Sequence, residues 1–428
     1  MFKQVLQRSF KGVSRVDHGR TQSLIRAANQ KQHSLPAAYY RGGTSRAVFF
    51  KKEDLPAERH RWDAIFRAVI GSPDPSYGRQ LDGLGGGISS LSKVCMVGAS
   101  THPDADVDFT FVSLGVYTSD VDYSSNCGNI VSAVGPFAID SGLFKPVTSP
   151  SSGTESDQQV QVTSVRIHNT NTGKLVRATF PIVVDGENVE AAASGDFAID
   201  GVAGTAAPIQ LDFIRPAGSR TGKLLPTGNV VDEFDGGITA TCIDVANPCV
   251  FVRASDLGVR GDLSPDEINA HPDLLARLDS IRRQAGVKMG LADSEAAVPG
   301  SVPKVCMVSS PARNTRGNDD QQQKTEDNVD IVARAISVGQ PHKAMPITVS
   351  LALAVASLVP GTTAAAAWAA GSTSKEPVNS AGVTIGHASG KLLVGATFGA
   401  DGELEYATVF RTARRLFEGQ VFWKADTD

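Results

Sequence analysis

A cysteine stands directly before the first long apolar run of the chain, within the segment Ser125–Asn129 (SNCGN). A thiol at a helix N-terminus faces unpaired backbone N–H groups and the positive end of the helix dipole, and both lower its pKa. The same N–H groups can bind a carboxylate, while Gly128 lets a ligand approach the backbone closely. A Ser/Asn helix cap that merely contains Cys127 explains the segment equally well, so the residues alone leave both interpretations open.

A glycine- and serine-rich segment, Asp82–Ser92 (DGLGGGISSLS), leads into Lys93. Its backbone and hydroxyl groups are suited to donate hydrogen bonds to carboxylate oxygens. Neither the Walker phosphate-binding pattern nor a GxGxxG fingerprint that opens a helix is present, which disfavours a nucleotide site. Lys93 begins an apolar strand, where a partly buried lysine loses its charge readily and can act as a base. For an arbitrary lysine, however, a surface anchor is the commoner role.

Three weaker candidates are turns or caps with polar side chains. The segment Arg41–Arg46 (RGGTSR) predicts a turn with cationic flanks, which favours an anion site. In the second half, His342-Lys343 precede an apolar helix, and Ile385–Gly390 (IGHASG) predicts a turn between strands. A purely structural role accounts for each of these at least equally well. The eight histidines show no metal-ligand spacing such as HExxH, so we expect no metal site.

The elements that would position these residues follow from apolar patterning. Apolar positions at helical spacing predict a helix over 57–70, and uniformly apolar runs predict buried helices over 129–139 and 344–359. The last run is too short for a comfortable membrane span, which favours a buried core helix. A polar helix is predicted over 264–284, with Ser264 as its N-cap. Strands are predicted at 37–40, 48–50, 94–97, 107–117, 237–245, 248–253, 304–309 and twice within 159–185.

One five-residue sequence occurs twice in the chain. Lys93–Val97 and Lys304–Val308 both read KVCMV, at an offset of 304 − 93 = 211 residues, and a long apolar helix candidate follows each copy. Because 428 residues are too many for one compact core, this repeat predicts two related domains, each with a buried central helix. We place the domains at 35–208 and 209–428, with a strand near 419–425 as a candidate to return to the first.

Composition excludes several classes of partner. The net charge of −4 gives no global basic field for nucleic acid, so local charges and helix ends must hold any anionic substrate. Five widely spaced cysteines disfavour a disulfide framework or a zinc site and favour a reducing compartment. Residues 1–34 carry seven Lys or Arg residues but only one acid, Asp17. This bias is typical of a mitochondrial transit peptide; a disordered basic tail in a cytoplasmic protein is the alternative.

Six motifs, in this order, resemble those of the PrpF-type methylaconitate isomerase family over about residues 37–424. They are Arg41–Ser45, Asp82–Gly87 with Ser92-Lys93, Ser125–Asn129 with Gly135-Pro136-Phe137, Pro226–Asn229, Ile385–Gly390 and Arg411–Arg414. The basic N-terminal extension lies outside the resemblance. There are three departures: Ile88 stands where a small polar residue is usual, Leu91 where threonine is usual, and Ala47 where glycine is frequent.

The resemblance implies an α+β fold like that of diaminopimelate epimerase, in which two pseudo-symmetric domains each wrap a mixed sheet round a central helix. The active site of such proteins lies in the cleft between the domains. Family members include methylaconitate cis–trans isomerases, aconitate delta-isomerases of the fungal itaconate pathway, methylitaconate isomerases and oxalomesaconate tautomerases. They work on small unsaturated polycarboxylates without a cofactor. The resemblance therefore implies allylic proton transfer on a tricarboxylate such as aconitate or methylaconitate.

The family's catalytic lysine and cysteine fall on Lys93 and Cys127, and its substrate-contacting serine on Ser45. We expect Lys93 to be the base, and Cys127 to be the partner acid or to orient a carboxylate. The candidate substrate-binding residues are Thr44, Ser45, Gly86, Gly87, Ser89, Asn126, Gly128, Asn129, Lys343, Ser389 and Gly390.

The expected partner is a small tricarboxylate, with no cofactor, metal, nucleic acid or membrane, and a homodimer is among the expected oligomeric states. Two other functions remain open besides oxalomesaconate tautomerisation. One is a non-catalytic accessory protein of an aconitase-like dehydratase. The other is an amino-acid epimerase on the same fold, although that chemistry generally uses two opposed cysteines and the second apolar helix follows His342-Lys343.

Overall fold

A computed structural model describes residues 31–148, 159–311, 329–371 and 382–424. Most of the basic N-terminal extension, for which we predict a targeting role, therefore lies outside the described residues. Short 3-10 turns at 52–54, 59–61, 235–237, 254–257 and 295–297 connect some of the elements.

The first half of the chain alternates strands with two helices. Its elements, in chain order, are β1 (His33–Gly42), β2 (Ser45–Lys51), α1 (Trp62–Ile70), β3 (Lys93–Ala99), β4 (Val107–Leu114), β5 (Val121–Asp122), α2 (Gly128–Asp140), β6 (Gln159–Asn169), β7 (Lys174–Asp185), β8 (Asn188–Ala191) and β9 (Ile209–Ile214).

The second half contains ten strands and four helices within the described residues. Its elements are β10 (Asp232–Phe234), β11 (Ile238–Asp244), β12 (Pro248–Arg253), α3 (Pro265–Ala270), α4 (Leu274–Lys288), β13 (Lys304–Ser309), β14 (Ile331–Ser337), β15 (Gln340–Pro341), α5 (Ile347–Leu358), α6 (Thr363–Gly371), β16 (Val383–His387), β17 (Gly390–Phe398), β18 (Leu404–Arg411) and β19 (Ala413–Trp423).

The two halves repeat one pattern of strand pairing. In the first, β1–β2, β3–β4 and β6–β7 are antiparallel, whereas β2–β3 and β4–β6 are parallel. The second half reproduces this order with β11–β12, β12–β13, β13–β14, β14–β16 and β16–β17. Lys93 and Lys304 thus begin equivalent strands, and Cys95 and Cys306 are fully buried in them. The predicted α+β class, with two pseudo-symmetric halves, is confirmed.

Each half wraps its strands round one buried helix. Every residue of α2 except Asp140, and every residue of α5 except Leu358, is buried. Helices that are apolar on all sides are stable only when they are enclosed in this way. The two helices meet at their N-termini, because a Cβ atom added to Gly128 would lie only 2.7 Å from Cβ of Ile347. The ends of both helices therefore point into the junction between the halves.

Strand pairing joins the halves into one continuous sheet. Strand β18 pairs with β17 on one side and with β9 on the other, and β9 also pairs with β7. The last strand, β19, pairs antiparallel with β1 over ten residue pairs, from His33 opposite Trp423 to Gly42 opposite Ala413. A boundary at residue 208 consequently cuts the chain just before a strand that contacts both halves, and the domain limits stay a prediction.

The predicted single helix over 264–284 is wrong. The chain forms α3 and α4 instead, with a break at 271–273. Pro272 has no N–H for a helical hydrogen bond and disfavours the helical conformation of the residue before it; His271 has ψ of 132°. The predicted cap is present, since the Ser264 hydroxyl accepts a hydrogen bond from the Glu267 N–H at 3.2 Å and the Glu267 carboxylate accepts one from the Ser264 N–H at 2.7 Å.

No single helix of the described ranges is long and apolar enough to cross a membrane. Helices α5 and α6 satisfy the criteria of length and composition only as a pair, and they are bent by 73° at their junction.

Candidate active site

A cavity of about 370 Å³ lies between the halves, at the facing N-termini of α2 and α5. Ten of the thirteen residues singled out from the sequence line it: Thr44, Ser45, Ser89, Lys93, Asn126, Cys127, Gly128, Asn129, Lys343 and Ser389. Three do not: Gly86, Gly87 and Gly390. Residues more than 340 positions apart in the chain thus face one cavity.

Lys93 reaches the cavity from the first position of β3, opposite Ser113 of β4. The residue is only 7% exposed. Its ammonium group donates a hydrogen bond to the Ser89 carbonyl and lies 5.5 Å from the centre of the Phe111 ring. Burial lowers the pKa of the Lys93 amine, because the charged form loses its hydration. A lysine in these surroundings is suited to act as a neutral base.

The glycine-rich loop before Lys93 is held by a buried glutamine. The Gln80 side-chain oxygen accepts hydrogen bonds from the Gly87 N–H at 2.9 Å and from the Ser92 hydroxyl at 2.6 Å. Its side-chain nitrogen donates to the Ser72 hydroxyl at 2.7 Å. Gln80 therefore fixes the residue next to Lys93, although nothing in the sequence marked it out from other glutamines.

The structure places Gly86 and Gly87 outside the cavity wall, contrary to the substrate-binding role predicted for them. The Gly87 N–H is engaged by Gln80, and Gly86 packs so closely on Leu91 that an added Cβ would lie 2.5 Å from the Leu91 Cδ1 atom. These glycines serve close packing of the loop. Gly390 also lies outside the cavity wall, although the adjacent Ser389 is part of it. Gly390 packs against Asp200 instead, where an added Cβ would overlap the Asp200 carboxylate.

Cys127 is the N-cap residue of α2 and has an extended backbone, with φ of −115° and ψ of 95°. Its side chain makes no capping hydrogen bond, and its sulfur lies 3.8 Å from the Ser45 hydroxyl oxygen. The N-terminal N–H groups of a helix have no partners within the helix and carry partial positive charge. A carboxylate placed beside Cys127 would therefore meet favourable backbone donors.

The turn of the Arg41–Ser45 motif packs directly on the start of α2. Gly43 has φ of 51°, a left-handed conformation that favours glycine, and an added Cβ would overlap the Asn129 side chain. The Arg41 guanidinium donates to the carbonyls of Gly43 at 3.0 Å and Thr412 at 2.9 Å. Arg41 is thus used to hold the turn, and the turn brings Ser45 to Cys127.

Among the second-half residues that line the cavity without having been listed as candidate site residues, two are ionisable, Lys304 and His342. Lys304 is 8% exposed, and burial lowers the pKa of its amine. Burial, together with the positive charges of Lys93 and Lys304, lowers the pKa of His342 to about 3, so its ring is neutral. The repeat of KVCMV was the available signal for Lys304, because symmetry places the second copy at the same cavity as the first.

The described wall of the cavity carries cations but no Asp or Glu side chain. Two polar atoms that border it, Asn126 Oδ1 and His342 Nε2, are buried and have no hydrogen-bond partner among the described residues. Buried polar atoms are normally paired, so both are free to bind a ligand. With three lysines and two helix N-termini, the cavity suits a small polyanion.

Within the four described ranges, no group of three or more His, Cys, Asp or Glu side chains is placed to hold a metal ion.

The family model described as "PrpF protein" matches residues 32–424. The chain belongs to the PrpF family. The match covers both halves and every residue of the cavity, and it leaves out the basic N-terminal residues before position 32.

Two curated PrpF relatives are similar over nearly their whole lengths. The chain is 40% identical over 396 residues to 3-methylitaconate isomerase of Eubacterium barkeri, covering 91% of this chain and 97% of that protein. It is 38% identical over 406 residues to 2-methyl-aconitate isomerase of Shewanella oneidensis, with the same shares covered. Among solved structures, methylitaconate-delta-isomerase has a TM-score of 0.69 and 39% identity, and the match covers 92% of this chain and 96% of that one.

Proposed function

We propose that this protein is an isomerase that moves a proton along the allylic carbons of a small unsaturated tricarboxylate such as aconitate or methylaconitate. One observation carries the proposal. The buried amine of Lys93 and the thiol of Cys127 face the same cavity, whose described wall holds three lysines and two helix N-termini but no carboxylate. The isomerase names of the two curated relatives support the same reaction class.

The cavity suits the size and charge of such an acid. A volume of about 370 Å³ lies near the lower end of ligand pockets, which span roughly 300–1,000 Å³. The hydroxyls of Thr44 and Ser45 and the N-terminus of α2 offer donors for carboxylate oxygens. Lys343 provides a further cation at the cavity rim.

The reaction requires only proton transfer. The neutral Lys93 amine removes a proton from the CH2 group that lies between a carboxylate and the C=C bond. The electron pair of the broken C–H bond enters the allylic system and gives a dienolate, and a proton returned to the far carbon completes the double-bond shift. Rotation within the dienolate before the proton returns exchanges cis and trans. Atoms and electrons balance without an oxidant or other co-reactant.

Electrostatics lower the barrier, since negative charge develops on an acid that is already anionic. Fixed donors at the helix N-termini stabilise that charge without having to reorganise. A positioned general acid or base typically contributes about 10²–10⁴-fold to the rate. Cys127 is placed to return the proton or to orient the carboxylate.

Proton NMR of the purified protein with cis-aconitate in D2O tests the proposal directly. We expect new alkene signals from an isomer, and their loss in Lys93→Ala with an unchanged circular dichroism spectrum. Lys145→Ala, which alters an exposed lysine outside the cavity, is the matched control. If cis-aconitate is unchanged, methylaconitate and oxalomesaconate are tried next. Unchanged spectra with all three acids would overturn the proposal and favour the accessory role beside a dehydratase.

We also propose, from the sequence alone, that the protein is targeted to mitochondria and forms a homodimer. We expect the basic segment 1–34 to direct a fluorescent fusion to mitochondria; cytoplasmic fluorescence would favour the alternative compartment. Light scattering of the purified protein against the 44.9 kDa chain mass checks for a homodimer.

A further inference from the structure

The duplicated KVCMV strand brings a second lysine to the cavity. Lys304 opens β13 as Lys93 opens β3, each is the residue at which its strand meets the cavity, and each is more than nine-tenths buried. Their neighbours also correspond. Ser113 lies opposite Lys93, and Ser337 follows Ile336, the partner of Val305; both serines line the cavity.

We propose that Lys304 is a second catalytic residue, whose ammonium group binds the substrate carboxylate on which negative charge develops. The assignment rests on the proposed function, because it names the group that faces Lys93 across the bound acid. Lys93 would exchange protons with the substrate carbon, whereas Lys304 would keep its proton and supply positive charge.

The first argument is the absence of a counter-ion. Within the described residues, no Asp or Glu side chain lines the cavity beside Lys304, and the carboxylate that acts on its pKa, Asp122, is the smallest of the named influences. Its recorded hydrogen bond is a long one of 3.5 Å to the Ser301 carbonyl. A buried ammonium without an anion is costly, so a substrate carboxylate is the partner this site lacks.

Lys304 also lies close to the contact between the two halves. Ser301 lies at the contact between the halves, where its hydroxyl is 3.0 Å from that of Ser124, two residues before Asn126 and three before Cys127. Lys304 is therefore close to the N-terminus of α2, where the carboxylate-binding N–H groups are. Lys93, Lys304 and Cys127 all line the same cavity.

The amines of Lys93 and Lys304 influence each other's charge. A charge on Lys93 lowers the pKa of Lys304, in addition to the larger effect of burial. Two ammonium groups in one cavity repel each other, and a bound polycarboxylate offsets this repulsion. Substrate binding thus favours a charged Lys304 and leaves one amine to take the proton. Asp122 raises the pKa of Lys304, and no carboxylate does the same for Lys93 among the groups that shift its pKa.

Binding of a non-reactive tricarboxylate tests the role without depending on turnover. Isothermal titration calorimetry with tricarballylate, a saturated tricarboxylate, is measured for the wild type, Lys304→Gln, Lys304→Arg and the control Lys145→Gln. We expect Lys304→Gln to bind at least about tenfold more weakly, as for loss of a hydrogen bond to a charged group. Lys304→Arg and the control should stay within about threefold, because arginine keeps the charge.

Kinetics distinguish a positioning charge from a general structural role. On the acid that the wild type isomerises, Lys304→Gln should raise KM and lower kcat, and Lys304→Arg should recover most of both. Lys304→Met, which matches the buried aliphatic chain, replaces the glutamine variant if that variant fails to fold. Wild-type affinity in Lys304→Gln or Lys304→Met, or a wild type that binds no tricarballylate, overturns the inference. Lysine-dependent binding without turnover of any acid would leave the inference standing and overturn the proposed isomerase function.

Discussion

The two halves present equivalent strands to one cavity, but they surround the first lysine of those strands differently. Lys93 follows the glycine-rich loop fixed by Gln80, whereas Lys304 follows a short segment whose Ser301 contacts the other half. The central helices differ in the same way: the N-cap of α2 is Cys127, and that of α5 is Pro346, which has neither a thiol nor a side-chain hydrogen-bonding group. Under the proposed roles, the duplicated scaffold carries proton-transfer groups in the first half and a fixed positive charge in the second.

The absence of a second thiol also bears on the epimerase alternative. An enzyme that inverts a carbon with two opposed cysteines needs a thiol at both helix ends, and the five cysteines include only one that reaches the cavity. The other four are buried, and burial raises the pKa of each thiol. The comparison of the helix ends therefore favours a lysine-based proton transfer.

Replacing Lys93 or Lys304 by arginine should reveal the largest difference in activity between the two halves. Arginine remains charged and cannot serve as a base, so Lys93→Arg should lose about 10²–10⁴-fold in kcat, the usual contribution of a general base. Lys304→Arg should retain activity within about tenfold, since only its charge is required. Steady-state kinetics of both variants, with thermal melts as the control for folding, provide the measurement. Equal losses in the two variants would show that the halves share the proton transfer.

The pH dependence of kcat/KM should also distinguish the role of Lys93 from that of Lys304. Lys93 must be neutral to accept a proton, and its pKa is lowered by burial, so kcat/KM should rise with pH through an inflection below the ordinary lysine value of about 10.4. The groups that act on the shared space are Lys304, His342, Cys95 and Cys127. Since a charged Lys304 disfavours a charged Lys93, Lys304→Gln should move the inflection to higher pH. An inflection that stays at the same pH in this variant would speak against coupling of the two amines.

The contact between the two helix N-termini should be sensitive to a single methyl group. In Gly128→Ala, the new Cβ lies 2.7 Å from Cβ of Ile347, and overpacking of this kind typically costs about 1–3 kcal/mol in the free energy of unfolding. Urea denaturation measures the loss. A double-mutant cycle with Ile347→Gly, which removes the opposing atom, should show the two substitutions to be less damaging together than the sum of their separate effects. If the effects of the two substitutions on the free energy of unfolding simply add, the contact between residues 128 and 347 is not the source of the destabilisation.

The smallest effect is expected at a turn that the first half lacks. Val338 has φ of 52° in the short connection between β14 and β15, whereas β4 and β5 are joined by the longer segment 115–120. A β-branched residue is strained in this left-handed conformation, and asparagine tolerates it better. Val338→Asn should stabilise the protein by about 1 kcal/mol in urea unfolding. A matched Val147→Asn substitution at a fully exposed position should have little effect.

Patterning and the KVCMV repeat predicted much of the scaffold from the sequence. The strand over 304–309, the two buried helices and the placement of Cys127 before the first of them agree with the structure. These features depend on local apolar runs, which are visible in the residues themselves. The candidate residues chosen from the sequence likewise include ten that line the cavity, while their roles stay predictions.

Two features that the sequence analysis missed depend on long-range contacts, and a third depends on a local signal. A glycine-rich sequence does not show that the Gly87 N–H already donates a hydrogen bond to Gln80. From the sequence alone, the N–H groups of this loop are therefore predicted to be available to a substrate. Lys304 was visible only as half of a repeat, and its burial beside the cavity depends on how the halves meet. The break at Pro272 was a local signal, and the polar run on either side of it masked that signal.

The pairing of β1 with β19 sets a condition on how the chain acquires its fold during synthesis. His33 lies opposite Trp423, a separation of 423 − 33 = 390 residues, and their rings stack at 4.6 Å. Until those last residues leave the ribosome, β1 has β2 on one side and an open row of backbone donors and acceptors on the other. Such an edge invites pairing with another chain. Contacts between residues this far apart in the chain also form slowly, so this edge of the first half stays unpaired until β19 has been synthesised and has folded against it.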